Sequence, residues 1–128
     1  MQYLLDTHVL VWWITSDKHM STHAASLIRN HKNNICWSVA GSWEISIKYA
    51  LGKMVFKEPP EDLIPYELER NHIDTLPILN EHAFLAGQLP EHHKDPFDRM
   101  LIAQAQIESL SIISSDSMLR LYDVDVFW

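Results

Sequence analysis

The chain has 128 residues, of which 47% are hydrophobic, and its formal net charge at pH 7 is −7. This length is sufficient for one domain with a buried core and short for two, so we interpret residues 1–128 as a single domain. The negative charge excludes a protein that coats nucleic acid regardless of sequence, because neutralising phosphates requires a basic surface. It does not exclude an enzyme that acts on nucleic acid and whose acidic residues are clustered around metal ions, since the ions reverse the sign of the local field.

The N-terminus lacks the basic segment of a secretory signal, and no apolar stretch reaches the roughly 18 residues that a membrane span requires. The single cysteine, Cys36, lies in an apolar run and is interpreted as a reduced core thiol. These features predict a soluble, cytoplasmic protein with no membrane association. The eight histidines are scattered, so we expect no single cluster of histidine ligands.

Short apolar runs alternate with helical patterns along the chain. The apolar runs predict strands, which are Tyr3 to Leu5, Ile35 to Trp37, Ile73 to Ile78, Ser111 to Ser114 and Val124 to Val126. The helical patterns begin near Thr7, Ser21, Val39, Pro60, Asn80 and Pro96. Pro77 indicates that the third strand is an edge strand or that the strand ends there. This alternation predicts a mainly parallel sheet covered on both faces, a three-layer α/β/α architecture.

The helix from Val39 to Leu51 carries one apolar stripe, with Glu44 at its edge. Ser38 is expected to cap this helix and Gly52 to end it. The stripe consists of Val39, Ala40, Trp43, Ile47, Ala50 and Leu51. We expect the five tryptophans to lie mostly in the core, and an exposed one would serve as an anchor for a protein partner.

A polar segment that contains a proline precedes the apolar helical pattern that begins near Pro96. Pro96 suits the first turn of that helix, and either Asp95 or Asp98 could cap it. Because Pro96 holds the preceding residue extended, we assign Asp95 to the cap and leave Asp98 free to face a crevice. Asn80 is expected to cap the preceding helix.

Four carboxylates, those of Asp6, Glu44, Asp98 and Asp116, follow predicted strands or lie at the edge or mouth of a helix. Considered alone, each acidic residue has a simpler explanation. It could cap a helix or form a turn, and Glu44 could form an ion pair with Lys48. If they share one crevice at the carboxyl ends of the strands, they would raise one another's pKa unless a divalent cation is bound. Oxygen ligands favour Mg²⁺ or Mn²⁺ over Zn²⁺, and either ion can make a water nucleophilic toward a phosphodiester.

Hydroxyl and basic side chains near these acids are candidates for supporting roles. Lys48 and Arg99 could contact substrate phosphate, or each could pair with a neighbouring acid. Hydroxyl groups could bond the carboxylates or a metal-bound water, although caps and turns are their simpler use. The hydroxyl candidates are Thr7, Ser38, Ser114 and Ser115.

Four segments resemble the PIN-domain family, in particular its VapC-type toxins. They are Leu4 to Trp13, Ser38 to Lys48, Asp95 to Ala105 and Ile113 to Asp116. The resemblance implies a Mg²⁺- or Mn²⁺-dependent endoribonuclease, the toxin of a toxin–antitoxin pair, which a small cognate antitoxin inhibits. It also implies a homodimer whose paired sites line a groove for RNA. The family's acidic quartet of catalytic metal ligands corresponds to Asp6, Glu44, Asp98 and Asp116.

Two other functions remain as alternatives. A receiver-like aspartate phosphoacceptor would carry paired acids after its first strand and a lysine after a late strand. Here Thr7 follows Asp6, and no lysine lies beyond Lys94. A catalytically silent binding protein, whose acids only cap helices, would have no measurable affinity for Mn²⁺.

Overall fold

The computed structural model describes residues 1–128 as five strands, six α-helices and one short 3₁₀ helix. The strands are β1 (Gln2–Leu5), β2 (Asn34–Ser38), β3 (Asp74–Leu76), β4 (Ser111–Ile113) and β5 (Val126–Phe127). The helices are α1 (Thr7–Ile14), α2 (Thr22–Arg29), α3 (Val39–Ala50), α4 (Pro60–Arg70), α5 (Asn80–Gln88), α6 (Pro96–Glu108) and the 3₁₀ helix (Ser117–Leu121). None of them has both the length and the hydrophobicity needed to cross a lipid bilayer.

The five strands form one parallel sheet in the order β3-β2-β1-β4-β5, which confirms the predicted parallel sheet with its third strand at an edge. Leu5 at the end of β1 is in register with Ile113 at the end of β4. The chain builds the sheet outward from β1 in one direction and then returns to its other side, so β1 and β4 flank the switch point where parallel sheets bind ligands. The receiver-like alternative predicts the order 2-1-3-4-5, which this sheet does not have.

Two apolar cores lie on opposite faces of the sheet, and β1 contributes to both. Tyr3 and Leu5 point into the core beneath α1 to α4, whereas Leu4 points into the core beneath α5 and α6. Successive side chains of a strand point to opposite faces, so an uninterrupted apolar run is what a strand covered on both sides requires. The predicted three-layer α/β/α arrangement is therefore confirmed.

Most of the predicted helix caps are confirmed. Asp6 begins α1, Ser38 begins α3, and Asp95 begins α6 by accepting the N–H groups of Phe97 and Asp98. The prediction that Asn80 caps α5 is wrong. The cap position is Leu79, which has no capping side chain; its own N–H donates to the imidazole Nδ1 of His82 at 3.0 Å, as it would to a Glu or Gln at the third helical position of a capping box. The last strand also begins at Val126, later than predicted.

The apolar stripe drawn on α3 does not face the core. The residues of α3 that are buried are Ala40, Gly41, Glu44 and Ile45. Gly41 lies so close to the Trp37 ring that a Cβ there would be 2.5 Å from it, and this close approach turns the small residues inward. An exposed set, here named the α3 apolar stripe, consists of Val39, Trp43, Ile47 and Leu51.

Three of the five tryptophans lie in or against the core, as expected, because Trp13 and Trp128 pack against the cluster that contains Trp37. Trp37 is fully buried, Trp43 is 60% exposed, and the other three are partly buried. Periodicity alone predicts that the apolar stripe of α3 faces inward. It does not show that two small residues and an acidic residue occupy the side of the helix nearest the sheet.

Candidate active site

Asp6 and Ser114 meet at the switch point, where each directly follows its strand. The Asp6 N–H donates to the carbonyl oxygen of Ile113 at 3.0 Å, which continues the pairing of β1 with β4. The Ser114 hydroxyl donates to Asp6 Oδ2 at 2.6 Å, and the Thr7 N–H donates to Asp6 Oδ1 at 2.7 Å. Burial raises the pKa of Asp6, the nearby charge of Glu44 adds to this, and the two hydrogen bonds oppose it.

Glu44 reaches the same region from the buried side of α3 and is 4% exposed. Its Oε2 lies 2.7 Å from the Nζ of Lys48, one turn further along the helix. The predicted ion pair therefore exists, but Glu44 does not lie on the solvated face that the simpler interpretation assumed. Its other oxygen, Oε1, is buried with no hydrogen-bond partner in the chain. Such an unpaired oxygen costs about 1–3 kcal/mol or more unless something binds it.

Asp98 and Asp116 meet at His93, a residue that the sequence analysis did not select. The His93 Nε2 lies 2.8 Å from Asp98 Oδ2 and 3.3 Å from Asp116 Oδ2. One ligand atom from each of the three side chains lies within 4.8 Å of the others. Asp116 also caps the 3₁₀ helix through Met118, and its own N–H donates to Ser114 Oγ at 3.0 Å.

The four predicted acids act electrostatically on one another. The pKa of Asp98 is raised to about 8, mainly by burial and further by the charges of Asp6, Asp95, Glu44 and Asp116. Like charges that are close together in a crevice raise one another's pKa. Asp6, Glu44 and Asp116 therefore lie close enough to Asp98 to affect its charge, and the region at the carboxyl edge of the sheet that these four acids share is called the crevice below.

Arg99 does not face this crevice, contrary to the expectation that it contacts phosphate or pairs with an acid. Its two terminal nitrogens donate to four backbone carbonyls at 2.9 to 3.2 Å. These carbonyls belong to Ala86, Leu89, Pro90 and His93. Arg99 therefore binds the segment that precedes α6, and its terminal N–H groups are occupied. Of the two predicted basic residues, Lys48 alone lies beside a predicted acid.

The four hydroxyl candidates each have a different environment. Ser114 bonds Asp6, as described above, whereas Ser38 accepts the N–H of Ala40 as a helix cap. The Thr7 hydroxyl is buried and has no partner in the chain. Ser115 is exposed, and its side chain contacts none of the acids. Ser114 is therefore the hydroxyl that orients an acidic side chain of the crevice.

The donor set fits a hard divalent cation. Four carboxylates surround the crevice, and one carboxylate oxygen, Glu44 Oε1, is buried without a partner. Oxygen donors of this kind are the ligands that Mg²⁺ and Mn²⁺ prefer, and a bound cation would offset the repulsion that raises the pKa of Asp98. The clustering of acids and the unpaired oxygen thus have one common explanation.

Comparison with known proteins agrees with this geometry. Residues 3–125 match the PIN domain family. Ribonuclease VapC16 of Mycobacterium tuberculosis is 34% identical over 61 residues, a match that spans 48% of this chain and 42% of that relative. Less than half of the relative's length is therefore matched.

Solved structures share the fold at low sequence identity. The Rickettsia felis VapBC2 complex with a promoter DNA fragment contains a chain with a TM-score of 0.71 and 20% identity, covering 99% of this chain and 98% of that one. VapBC-1 from nontypeable Haemophilus influenzae gives a TM-score of 0.67 at 17% identity, covering 99% and 97%. Because the family match extends over nearly the whole sheet and all six helices, the chain belongs to the PIN domain family.

Proposed function

We propose that residues 1–128 form one nuclease domain that hydrolyses RNA phosphodiester bonds with Mg²⁺ or Mn²⁺. The observation that carries this proposal is the crevice at the β1–β4 switch point, where burial, and after it the charges of three other predicted ligands, raise the pKa of Asp98. A bound cation would offset the repulsion among these four acids, whereas the helix caps that Asp6 and Asp116 form give a structural use to only two of them. Membership of the PIN domain family supports the same conclusion.

Asp6, Glu44 and Asp98 would hold the cation, and Asp116 would share or orient it. When bound, a divalent ion lowers the pKa of a water molecule and stabilises charge on the leaving oxygen. The chain's own contribution is to fix the carboxylates. Ser114 orients Asp6, and Lys48 holds one oxygen of Glu44 while leaving the other free.

RNA is the proposed substrate because the relative that matches part of this chain is named a ribonuclease. A single-stranded or locally open RNA fits best, since few free cationic side chains surround the crevice and a duplex would bring more phosphate charge. The cytoplasmic location expected from the sequence suits such a substrate. A cytoplasmic location also agrees with the presence of a free thiol at Cys36. Burial and the charges of Asp74 and Glu108 raise the pKa of this thiol.

Two protein partners belong to the proposal. The first is a small cognate antitoxin that would inhibit the domain as part of a toxin–antitoxin pair, and it is supported by the toxin–antitoxin complexes among the structural neighbours. The second is another copy of this chain. The α3 apolar stripe supports a homodimer, because exposed apolar side chains in a row on one helix are typical of a protein interface.

The test is cleavage of end-labelled single-stranded RNA by the purified protein. We expect cleavage with Mg²⁺ or Mn²⁺, none with EDTA, and a loss of at least about 10²-fold in Asp6→Asn and Asp98→Asn if these groups bind the ion. Asp123→Asn, which alters an exposed acid outside the crevice, is the matched control and should cleave like the parent. Activity that persists in EDTA or in both crevice variants would refute the proposal, and absence of Mn²⁺ binding would favour a silent binding protein.

A further inference from the structure

The segment between α5 and α6, residues 89–95, is a loop by secondary structure but is bound tightly on two sides. Arg99 donates to carbonyls along it, including that of His93. The buried Tyr122 contributes from the opposite side: its hydroxyl accepts the N–H of His93 at 2.8 Å and donates to the carbonyl of Pro90 at 2.7 Å. The backbone of His93 is thus held through both its N–H and its carbonyl group.

The imidazole ring of His93 is held as well. The Asp95 N–H donates to Nδ1 at 3.4 Å, so Nδ1 accepts and the ring hydrogen is on Nε2. Nε2–H is directed toward Asp116 Oδ2 at 3.3 Å, and Asp98 Oδ2 lies beside it at 2.8 Å. The side chain of Asp95 meanwhile caps α6, the helix that carries Asp98. One residue therefore fixes both the tautomer of His93 and the start of the helix.

This arrangement has a consequence for the two carboxylates. Asp98 and Asp116 would repel each other if their oxygens approached without a positive group between them, and an N–H donor in that position offsets the repulsion. Asp116 is restrained further because its other oxygen accepts the Met118 N–H at 2.9 Å. The second oxygen of Asp98 is the one that the arrangement leaves for another partner.

We propose that His93 is a positioning residue whose Nε2–H group holds the Asp98 and Asp116 carboxylates side by side so that the crevice binds its cation. His93 does not ligate the ion in this arrangement, since the nitrogen that faces the crevice carries the hydrogen. Arg99 and Tyr122 contribute indirectly, because they fix the loop that carries His93. This inference rests on the proposed function only in taking the ion to be Mg²⁺ or Mn²⁺.

A second histidine with the same bonding pattern shows what distinguishes His93. His82 also accepts an N–H at Nδ1, from Leu79, and its Nε2 lies 3.0 Å from Glu108 Oε1. However, His82 is fully buried, and although Glu81 and Glu108 both have an oxygen within 4.8 Å of it, its bond is to Glu108, so it joins α5 to α6. The Nε2 of His93 instead lies 2.8 Å and 3.3 Å from two carboxylates, those of Asp98 and Asp116.

The test compares Mn²⁺ binding in four variants, measured by electron paramagnetic resonance of the free ion. His93→Ala should weaken binding by about tenfold or more, the usual effect of removing a group that orients metal ligands. His93→Gln, whose amide can place an N–H near the position of Nε2, should recover most of the affinity. Tyr122→Phe, which removes the hydroxyl that holds the His93 backbone, should give an intermediate loss. His31→Ala is the control, since His31 is an exposed histidine that precedes β2 at the opposite edge of the sheet.

Thermal unfolding in EDTA, measured on each variant, separates lost ligand positioning from lost folding. If His93→Ala fails to fold, the Mn²⁺ affinities of the other two variants still test the proposal. His93→Gln should then bind Mn²⁺ more tightly than Tyr122→Phe, and the reverse order would overturn the proposal. Equal Mn²⁺ affinity in His93→Ala and the parent would overturn the proposal, as would nitrogen hyperfine coupling to bound Mn²⁺ in the parent that His93→Ala abolishes, which would make His93 a ligand. A parent that binds Mn²⁺ but leaves RNA intact would refute the proposed nuclease function while leaving this inference standing.

Discussion

Ser114 donates its hydroxyl hydrogen to Asp6 over 2.6 Å, and this bond joins two residues that are 108 positions apart in the chain. The same hydroxyl oxygen accepts the N–H of Asp116 at 3.0 Å. One small side chain therefore links the acid that follows β1 to the acid that follows β4. Both bonds depend on the parallel register of the two strands, so the sheet itself determines the separation of these carboxylates.

Replacing Ser114 by alanine should weaken cation binding. The Ser114 hydrogen bond lowers the pKa of Asp6, so its removal leaves the carboxyl more easily protonated and a poorer ligand. We expect Mn²⁺ affinity at pH 7 to fall about tenfold and the free energy of unfolding to fall by about 1 kcal/mol. Calorimetric Mn²⁺ titration and urea unfolding measure the two effects. Ser115→Ala, at the exposed neighbouring position, is the control, and equal affinities in the two variants would contradict the prediction.

Arg99 should contribute strongly to stability although it lies outside the crevice. Its replacement by alanine removes a charged donor from four carbonyls, and we expect the free energy of unfolding to fall by about 2–3 kcal/mol. Lysine should not restore it, because an ammonium group lacks the planar fork that reaches several acceptors. Amide hydrogen exchange over residues 89–95 should accelerate. The exposed Arg120 provides the control, and a loss no larger in Arg99→Ala than in Arg120→Ala would disprove this role.

The layout of the strands and most helix starts could be predicted from the sequence because they depend on local patterns. Uninterrupted apolar runs such as Tyr3 to Leu5 indicate strands covered on both faces, and an acid before Thr7 or a proline at Pro96 marks a helix start. The approach of Asp6 to Asp116 followed from one further rule, that parallel strands end at the same edge of their sheet.

The roles of His93 and Arg99 could not be predicted in this way, because they depend on the path of the loop that precedes α6. No periodicity specifies that path. An arginine beside Asp98 reads as an ion pair or a phosphate contact, and only the fold shows that loop carbonyls surround it. A histidine in a polar loop likewise gives no signal until Asp116 is brought to it from a later strand. The nearest sequence signal was its position five residues before Asp98.

The α3 apolar stripe should control self-association. Trp43 is 60% exposed and is the largest side chain of this stripe. Its ring centroid lies 5.2 Å from that of Phe97. We expect the parent to sediment as a dimer and Trp43→Asp to sediment as a monomer with an unchanged circular dichroism spectrum, since burying a charge in an apolar interface is costly. Tyr66→Asp alters an equally exposed aromatic residue on α4 and should remain dimeric. A parent that is monomeric at all concentrations would refute the homodimer.

Two glycines in helices should respond in opposite directions to alanine. A Cβ at Gly41 would lie 2.5 Å from the Trp37 ring, so Gly41→Ala must displace α3 or the ring and should cost about 1–3 kcal/mol of stability. Gly87 in α5 has open space around it, and Gly87→Ala should stabilise the protein by about 0.5–1 kcal/mol through helix propensity. Urea unfolding measures both. A neutral result for Gly41→Ala would show that the close packing of α3 on Trp37 is not required.

The stability of the metal-free protein should fall as the pH rises, because of Asp98. Its pKa is about 8 in the folded state and about 3.8 in the unfolded chain, so between these values the folded state holds a proton that the unfolded state has lost. The free energy of unfolding therefore decreases with pH across that window, by at most about 1.4 kcal/mol per pH unit from this group, and levels off above pH 8. Asp6, whose pKa is also raised, contributes with the same sign.

Asp98→Asn removes the proton linkage of Asp98 while keeping a side chain of similar shape, so its unfolding free energy should depend less on pH than that of the parent. In EDTA at pH 8 the variant should be at least as stable as the parent, since an amide relieves the repulsion from Asp6 and Glu44. Saturating Mn²⁺ should stabilise the parent and not the variant, because the ion binds the folded state that offers it a carboxylate. Urea unfolding at pH 5, 6.5 and 8 measures these differences. A variant that is less stable than the parent at pH 8 without metal would mean that Asp98 acts as a structural residue of α6, and the case for a cation in the crevice would fail with it.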